Sequence, residues 1–224
     1  MSDDGSVTSP AAPRRVSFDP GEMERDAFYR VLNSVVVPRP IAWVCSRSAG
    51  GVLNLAPHSF YTVSCVAPPI VQFTSVGRKD SLNNVEATGE FTVSLAPESM
   101  FEHINATGTD FPPDASEAEH VGVELEPSDV VGVPHVAGSP VALECRLHST
   151  VELGDSTVVF GRVVLITAWE SAVRDGRPRI EELRPMARLG GNEWTTLGEV
   201  REIRRIPYKK WAGDPSIGEK LRGG

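Results

Sequence analysis

The amino-acid sequence predicts a mainly β fold, an antiparallel β-barrel with peripheral helices. Short segments rich in β-branched and aromatic residues are separated by Gly and Pro turns, as in Ile70–Val76, which Gly77 ends. Two longer segments, Val141–Leu153 and 157–169, are joined by Gly-Asp-Ser, a composition typical of a hairpin turn. Because no long helical segment alternates with each strand, a doubly wound parallel sheet is not expected.

The same patterns predict the earlier elements in chain order. Asp19-Pro20 is typical of a helix start, and the apolar positions after it predict one helix that ends before Pro38. Strands are expected over 41–45, 61–66 and Glu90–Leu95, where β-rich runs end at turn residues.

A second helix is predicted over Asp80–Thr88, with Asp80 or Ser81 as its cap and Gly89 as its end. Gly161 lies inside the second long strand. A glycine at such a position indicates a bulge or the close approach of another group to the backbone.

Composition excludes several classes of function. The 224 residues carry 22 basic and 30 acidic side chains, a formal net charge of -8, whereas nucleic-acid binding requires a basic surface. No run of 18 apolar residues is present, so a membrane-spanning helix is not expected. The N-terminus lacks the pattern of a secretory leader, and the three cysteines are widely spaced. The default expectation is therefore a cytoplasmic protein.

The chain is interpreted as one domain with two tails. Residues 1–18 are predicted to be a disordered tail, 19–206 to form the domain, and 207–224 to be a basic, partly flexible tail. Acidic residues are concentrated in 114–129, and basic residues from 200 onward. Two solvated surfaces, or a basic tail that meets an acidic face in an oligomer, would each account for this asymmetry.

Several well-known site motifs are absent from the sequence. There is no dinucleotide-binding GxGxxG, no phosphate-binding GxxxxGK[ST], no GxSxG nucleophile and no HExxH helix. The five histidines are isolated, and no pair has the spacing of helical metal ligands, so no metal site is predicted.

Two segments have unusual chemistry for plain structure. In 54–61, small polar residues and Pro57 occupy positions where a strand should begin. An extended backbone with this composition could bind a planar, hydrogen-bonding heterocycle. The alternative interpretation is a simple hairpin connection. In 77–84, Arg78 and Lys79 precede a helix start that carries the Ser81 hydroxyl. Such a helix start suits phosphate, although an ordinary charged turn and cap would have the same sequence. Together the two segments favour a mononucleotide site.

In these segments the sequence resembles the flavin-reductase-like family, whose members have an FMN-binding split barrel. The resemblance runs from about residue 29 to about residue 198 and depends on the order of several individually weak motifs. These motifs are Arg39-Pro40-Ile41-Ala42-Trp43-Val44, Asn54-Leu55-Ala56-Pro57-His58-Ser59-Phe60, Ala67-Pro68-Pro69-Ile70-Val71, Arg78-Lys79-Asp80-Ser81-Leu82-Asn83-Asn84, Gly161-Arg162-Val163-Val164 and Met186-Ala187-Arg188-Leu189-Gly190-Gly191. The resemblance implies an antiparallel Greek-key split β-barrel with peripheral helices.

The resemblance also implies noncovalent FMN near the interface of a homodimer, and reduction of that flavin by NADH or NADPH as a transient hydride donor. It assigns flavin binding to Arg39, Asn54, Leu55, Ala56, Pro57, Ser59, Phe60, Arg78, Lys79, Ser81 and Arg188. Within this set, Arg78, Lys79 and Ser81 would hold the phosphate. Arg188 is the expected catalytic residue. Together with backbone amides around Asn54 to Ala56, it would stabilise the negative charge of reduced flavin.

Three functions are compatible with the sequence. The first is a NAD(P)H:flavin reductase that transfers hydride to flavin N5. The second is an FMN-binding electron carrier, and the third is the reductase component of a two-component flavin monooxygenase, which would add a monooxygenase partner. The sequence does not distinguish NADH from NADPH and does not identify the electron acceptor.

Overall fold

A computed structural model describes residues 14–214 and 216 of the chain. Most of the predicted N-terminal tail (1–13), together with residue 215 and residues 217–224 of the predicted C-terminal tail, lies outside the described residues. The described part of the C-terminal tail contains a short helix.

The described residues form six α-helices and fourteen strands. The helices are α1 (Arg25–Val35), α2 (Asp80–Thr88), α3 (Phe101–Ala106), α4 (Glu117–Val121), α5 (Ile180–Leu183) and α6 (Tyr208–Gly213). The strands are β1 (Arg39–Pro40), β2 (Ala42–Arg47), β3 (Leu53–His58), β4 (Tyr61–Cys65), β5 (Ile70–Val76), β6 (Glu90–Leu95), β7 (Leu125–Glu126), β8 (His135–Val136), β9 (Val141–Leu153), β10 (Ser156–Ala168), β11 (Val173–Arg174), β12 (Arg177–Pro178), β13 (Ala187–Arg188) and β14 (Trp194–Thr195).

One seven-stranded antiparallel sheet organises the fold. Its strand order is β3-β2-β6-β9-β10-β5-β4, so β3 and β4 lie at its two ends although they follow each other in the chain. The long β9–β10 pair is the predicted hairpin, and β1, β13 and β14 form a separate small sheet. The prediction of a mainly β, antiparallel barrel with peripheral helices is confirmed. No helix within residues 14–214 and 216 is both long and apolar enough to cross a membrane.

The core lies on both faces of β2 because side chains alternate along a strand. Trp43 and Cys45 pack into one buried cluster together with Leu55 of β3, whereas Ala42 and Val44 face a second cluster. Strand β2 is therefore buried on both sides, and it fixes its neighbour β3 in register, with Trp43 opposite Pro57.

Gly161 lies both at a β-bulge and at a close approach of another group to the backbone, the two features predicted for it. The β9–β10 register shifts between Phe160 and Gly161, which is a bulge. A Cβ atom at Gly161 would also lie 2.2 Å from Cζ of Phe91, an impossible contact. A glycine is required there because the buried Phe91 ring packs directly on the backbone of β10.

Helix α1 begins later than predicted. Instead of capping a helix, the Asp19 carboxylate accepts a hydrogen bond from the Gly21 amide at 2.8 Å, and the Asp19 carbonyl accepts one from Glu22. These bonds form a turn, and the helix starts at Arg25. Helix α1 also contains no buried residue: Ala27, Phe28 and Val31 of its predicted apolar face are half-buried, and Leu32 and Val35 are exposed within one copy of the chain.

The acidic segment 114–129 is not one solvated surface. The Glu117 side chain is buried, and Glu126 contacts His135 Nε2 at 2.9 Å. Asp129 lies in a loop whose three successive amides, at 129–131, donate to the fully buried carboxylate of Glu144 on β9 at 2.7–2.9 Å. This part of the chain is therefore held in place by its polar contacts.

Candidate functional site

A cavity of about 390 Å³ opens between strand β3, the start of helix α2 and the loop after helix α3. Its volume falls within the range of small-molecule sites. The sequence-predicted residues that line it are Asn54, Ala56, Pro57, Ser59, Phe60, Arg78, Lys79 and Ser81. The two segments singled out by their chemistry therefore face each other across one cavity.

The sequence does not predict the remaining lining residues as site residues, and these include Tyr29, His58, Thr107, Asp110, Phe111 and Glu117. Tyr29 comes from α1, residues 107–111 come from the loop between α3 and α4, and Glu117 is the first residue of α4. The indole nitrogen of buried Trp43 donates to the Thr107 hydroxyl at 2.9 Å and so holds this loop against β2, the neighbour of β3. No spacing in the sequence could indicate these contacts, because they join segments that are distant in the chain.

The cavity-facing edge of β3 carries hydrogen-bond acceptors but lacks donors. Glu117 accepts the Leu55 amide at 2.9 Å, and this bond points away from the partner strand β2. Pro57, two residues on, faces the same way because strand directions alternate, and proline has no N–H. The expectation of free backbone amides around Asn54 to Ala56 is therefore wrong for Leu55. The Leu55 side chain is fully buried in the core instead of lining the cavity.

Helix α2 points its N-terminus at the cavity. Lys79 is its N-terminal flanking residue, and no side chain caps the helix, so the prediction of an Asp80 or Ser81 cap is wrong. The first amides of α2 and the exposed Lys79 ammonium group make the electrostatic potential at this end of the cavity positive. The negative charge of the Asp80 carboxylate partly offsets this potential. Arg78 lies on the rim, where it pairs with Glu86 and donates to Asn83 at 3.1 Å.

A buried polar network forms the floor of the cavity. The Asn54 amide nitrogen donates to Ser81 Oγ at 3.0 Å, and His58 Nε2 lies 3.1 Å from the same oxygen. Behind them, Ser46 Oγ accepts from Asn84 at 3.2 Å. Burial, reinforced by the Lys79 charge, lowers the pKa of His58 to about 4, so the imidazole is neutral at pH 7.

Glu117 is a second buried titratable group at the cavity. Its helix, α4, packs against β3, which places the carboxylate at the strand edge. Burial raises the pKa of Glu117, an effect that the Leu55 amide partly offsets and the nearby Asp80 charge reinforces. The cavity therefore contains a carboxylate that is harder to ionise than a solvent-exposed glutamate.

Arg39 and Arg188 lie outside the cavity lining. They are opposite residues of the β1–β13 pair. Arg39 is buried and donates to the backbone carbonyls of Asn33, Val36 and Leu189. Arg188 stacks over the Trp194 ring at 4.5 Å and donates to the Gly191 carbonyl at 2.8 Å.

Tyr29 connects this arginine pair to the cavity. Tyr29 lines the cavity and interacts electrostatically with Arg188, whose pKa is lowered mainly by burial. The structure places Arg188 beside the cavity rim, and it places Arg39 as a clamp between α1 and the segment after β13.

The fold and the cavity define a class of protein: a split β-barrel with a small cavity that has a helix N-terminus and a lysine at one end and a strand edge of backbone hydrogen-bond acceptors at the other. Within residues 14–214 and 216, no cluster of three or more His, Cys, Asp or Glu side chains could hold a metal ion.

Comparison with known proteins assigns the family. A family model described as "Flavin reductase like domain" matches residues 34–178, and the chain therefore belongs to the flavin reductase-like family. An uncharacterized protein of Deinococcus radiodurans is 38% identical over 207 residues, which cover 87% of this chain and 91% of that protein.

Solved structures agree with this assignment. The structure of nitrilotriacetate monooxygenase component B from Bacillus cereus has a TM-score of 0.83 and 33% identity, covering 86% of this chain and all of that one. The 2-nitrobenzoate 2-nitroreductase NbaA of Pseudomonas fluorescens has a TM-score of 0.79 and 29% identity, covering 86% and 96%.

Proposed function

We propose that this protein is an NAD(P)H-dependent flavin reductase that binds FMN in the cavity between β3 and α2. One observation carries the proposal: the N-terminus of α2 and Lys79 face the acceptor edge of β3 across a single cavity. A phosphate suits the first side and a ring N–H suits the second. Membership of the flavin reductase-like family supports a flavin as the group that has both.

The residues around the cavity suggest how each part of FMN is held. The amides of α2 and the Lys79 ammonium group would bind the phosphate, with Arg78 reaching it from the rim. Carbonyl oxygens of the β3 edge would accept from the flavin ring, and Ser59 and Phe60 would close the far end. When bound, the flavin supplies the redox chemistry, while the protein positions it and excludes water.

Arg188 is proposed to stabilise the negative charge of reduced flavin from the rim beside Tyr29. Its stacking on Trp194 fixes the direction of its side chain, and its hydrogen bond to Gly191 leaves further guanidinium N–H groups for a ligand. An interaction that gains strength only as charge develops accelerates the reaction instead of tightening ground-state binding.

We further propose a homodimer with the flavin near its interface. The α1 segment exposes Leu32, Val35 and Val36, and β4 exposes Val63, which is 68% accessible, and is followed by Val66, which is 87% accessible. Tyr29 of α1 and Phe60, which directly precedes β4, both line the cavity, so the two apolar segments lie at the same end of it. A second copy of the chain would cover this surface and complete the cavity wall.

The reductase component of a two-component monooxygenase is the second candidate, and the similarity to a monooxygenase component B favours it. In that case reduced flavin leaves the cavity for a monooxygenase partner. An electron carrier would instead retain its flavin through many turnovers. We propose the cytoplasm as the site of action for all three, since NAD(P)H is generated there.

Anaerobic stopped-flow spectrophotometry at the flavin absorption band tests the proposal. Bleaching by NADH or NADPH at millimolar concentration is expected, with weak nicotinamide binding because no dinucleotide motif holds a pyrophosphate. Bound flavin that neither nucleotide bleaches would replace the reductase with the carrier. A colourless protein that ignores added FMN would refute flavin binding altogether.

A further inference from the structure

A buried carboxylate, that of Glu117, lies against the edge of β3 where the cavity begins. Glu117 is 6% exposed, and its Oε2 accepts the Leu55 amide at 2.9 Å. Glu117 is the first residue of α4, which packs against β3, and it also lines the cavity. Its carboxylate is therefore within reach of a ligand that fills the cavity.

The second oxygen of this carboxylate is open to the cavity. Oε1 makes no hydrogen bond to another residue in the part of the chain that the structure describes. In the same part of the chain, the enclosed side-chain polar atoms that lack a partner are Arg39 Nε, His103 Nδ1 and Ser116 Oγ, and Oε1 is not among them. Oε1 is therefore accessible, and the open space that Glu117 lines is the cavity.

One backbone amide does not compensate for the burial of a charged carboxylate. Burial raises the pKa of Glu117 although the Leu55 amide acts in the opposite direction, so the ionised form has poorer partners here than in water. An amide at the edge of an open cavity needs no carboxylate, because water can accept its hydrogen bond. Glu117 thus has the capacity to accept from a further donor that the folded chain does not supply.

The position of Glu117 along β3 decides which part of a ligand it meets. Asn54, next to Leu55, donates to Ser81 in the first turn of α2 at 3.0 Å, so this part of β3 lies beside the N-terminus of α2. His58 ends the strand three residues after Leu55, roughly 10 Å further on at about 3.3 Å per residue. The carboxylate is therefore near the α2 end of the cavity and distant from the far end of the strand.

We propose that Glu117 binds a hydroxyl group in the middle of the ligand, in FMN a hydroxyl of the ribityl chain, through Oε1. This inference rests on the proposed function, in which the phosphate lies at Lys79 and α2 and the ring lies along β3 toward Phe60. An ionised phosphate is no partner for Oε1, because like charges repel and neither group has a proton to donate. Glu117 is then a specificity-determining residue that favours flavins with a polyol chain.

Glu117→Gln isolates this contact from the structural role of the side chain. The glutamine carbonyl can still accept the Leu55 amide, whereas an NH₂ group replaces the charged acceptor on the cavity side. Glu119→Gln is the matched control, since Glu119 is an exposed residue of the same helix outside the cavity lining. Thermal unfolding followed by circular dichroism establishes that both full-length variants are folded.

Fluorescence titrations with FMN, riboflavin and lumiflavin, which lacks the ribityl chain, provide the first test. Glu117→Gln should weaken riboflavin about fivefold, the difference between a charged and a neutral hydrogen bond, and leave lumiflavin within about twofold. FMN should lose less than riboflavin, because the variant also removes the repulsion between the carboxylate and the phosphate. Glu119→Gln should change none of the three affinities.

Three outcomes would overturn the inference. Unchanged affinity for all three flavins in Glu117→Gln would leave Glu117 only the role of holding β3. Equal losses for all three would indicate a displaced strand or a contact with the ring. A loss that is largest for FMN would indicate a contact with the phosphate.

The three monodeoxyriboflavins, each without one of the 2′, 3′ and 4′ hydroxyls, then locate the contact. At least one of them should bind the wild-type protein and Glu117→Gln with equal affinity, because the group that the carboxylate binds is missing. If all three retain the full difference, Glu117 contacts no hydroxyl and the inference fails. A wild-type protein that binds no flavin refutes the proposed function itself, whereas one that binds and reduces FMN but fails these titrations refutes the inference alone.

Discussion

Replacing Lys79 by alanine should weaken FMN binding about tenfold and leave riboflavin almost unchanged. Lys79 flanks the N-terminus of α2 and forms no ion pair within the described residues, so its charge is available to a phosphate. A hydrogen bond to a charged group contributes about 1.5–3 kcal/mol. Because Lys79 is exposed and its charge is screened by water, we take the lower figure, about 1.5 kcal/mol, which corresponds to about one decade in Kd.

Equilibrium titration of flavin fluorescence measures both affinities in the same buffer. Arg177→Ala on β12 removes an exposed positive charge outside the cavity lining and should change neither. Arg78→Ala should have a smaller effect than Lys79→Ala, since Arg78 already pairs with Glu86. Equal losses for FMN and riboflavin in Lys79→Ala would refute the phosphate assignment, and so would a loss that persists undiminished at high salt.

Three further results are expected. Arg188→Ala should slow flavin reduction in anaerobic stopped flow more than it weakens binding of oxidised FMN, and an equal effect on both would contradict its proposed role. Truncation after Gly198 removes a segment with exposed Ile203 and Tyr208, and it should weaken the dimer and release FMN together; a monomer in light scattering that retains FMN would contradict this. His58 has a pKa depressed to about 4, so the folded state binds fewer protons than the unfolded state. The unfolding free energy should therefore fall by up to about 3 kcal/mol between pH 6.5 and 4, and His58→Gln should remove that part of the slope in denaturant titrations.

The elements best predicted from the sequence are those whose limits are set locally. Strand β5 ends just before Gly77 and helix α2 just before Gly89; both glycines have positive φ, and both elements have the predicted bounds. The prediction for Gly161 is of the same kind, because a glycine within a β-rich run is typical of a bulge or of close packing on the backbone. At Gly77 and Gly89, the backbone conformation that ends the strand or the helix belongs to the residue that directly follows it, so a local sequence pattern is enough to predict the end.

The parts that could not be predicted depend on contacts between distant segments. Glu117 lies 62 residues from the Leu55 amide that it binds, and no local pattern indicates that this amide is occupied. The predicted start of α1 is too early because an aspartate at position 19 is compatible with either a helix cap or a turn. In the structure the Asp19 carboxylate accepts a hydrogen bond from the Gly21 amide, which forms the turn. The placement of Arg188 outside the cavity lining likewise depends on its stacking on Trp194.

The acceptor edge of β3 also has a consequence for the behaviour of the chain in concentrated solution. An edge strand with free N–H groups can recruit strands from other molecules and start aggregation. On β3, the Leu55 amide is occupied by Glu117, and Pro57 has no amide hydrogen to offer. A visiting strand would therefore meet carbonyls without the donors it needs for a continuous ladder. The residues that shape the cavity thus also protect a strand edge that an open cavity leaves uncovered.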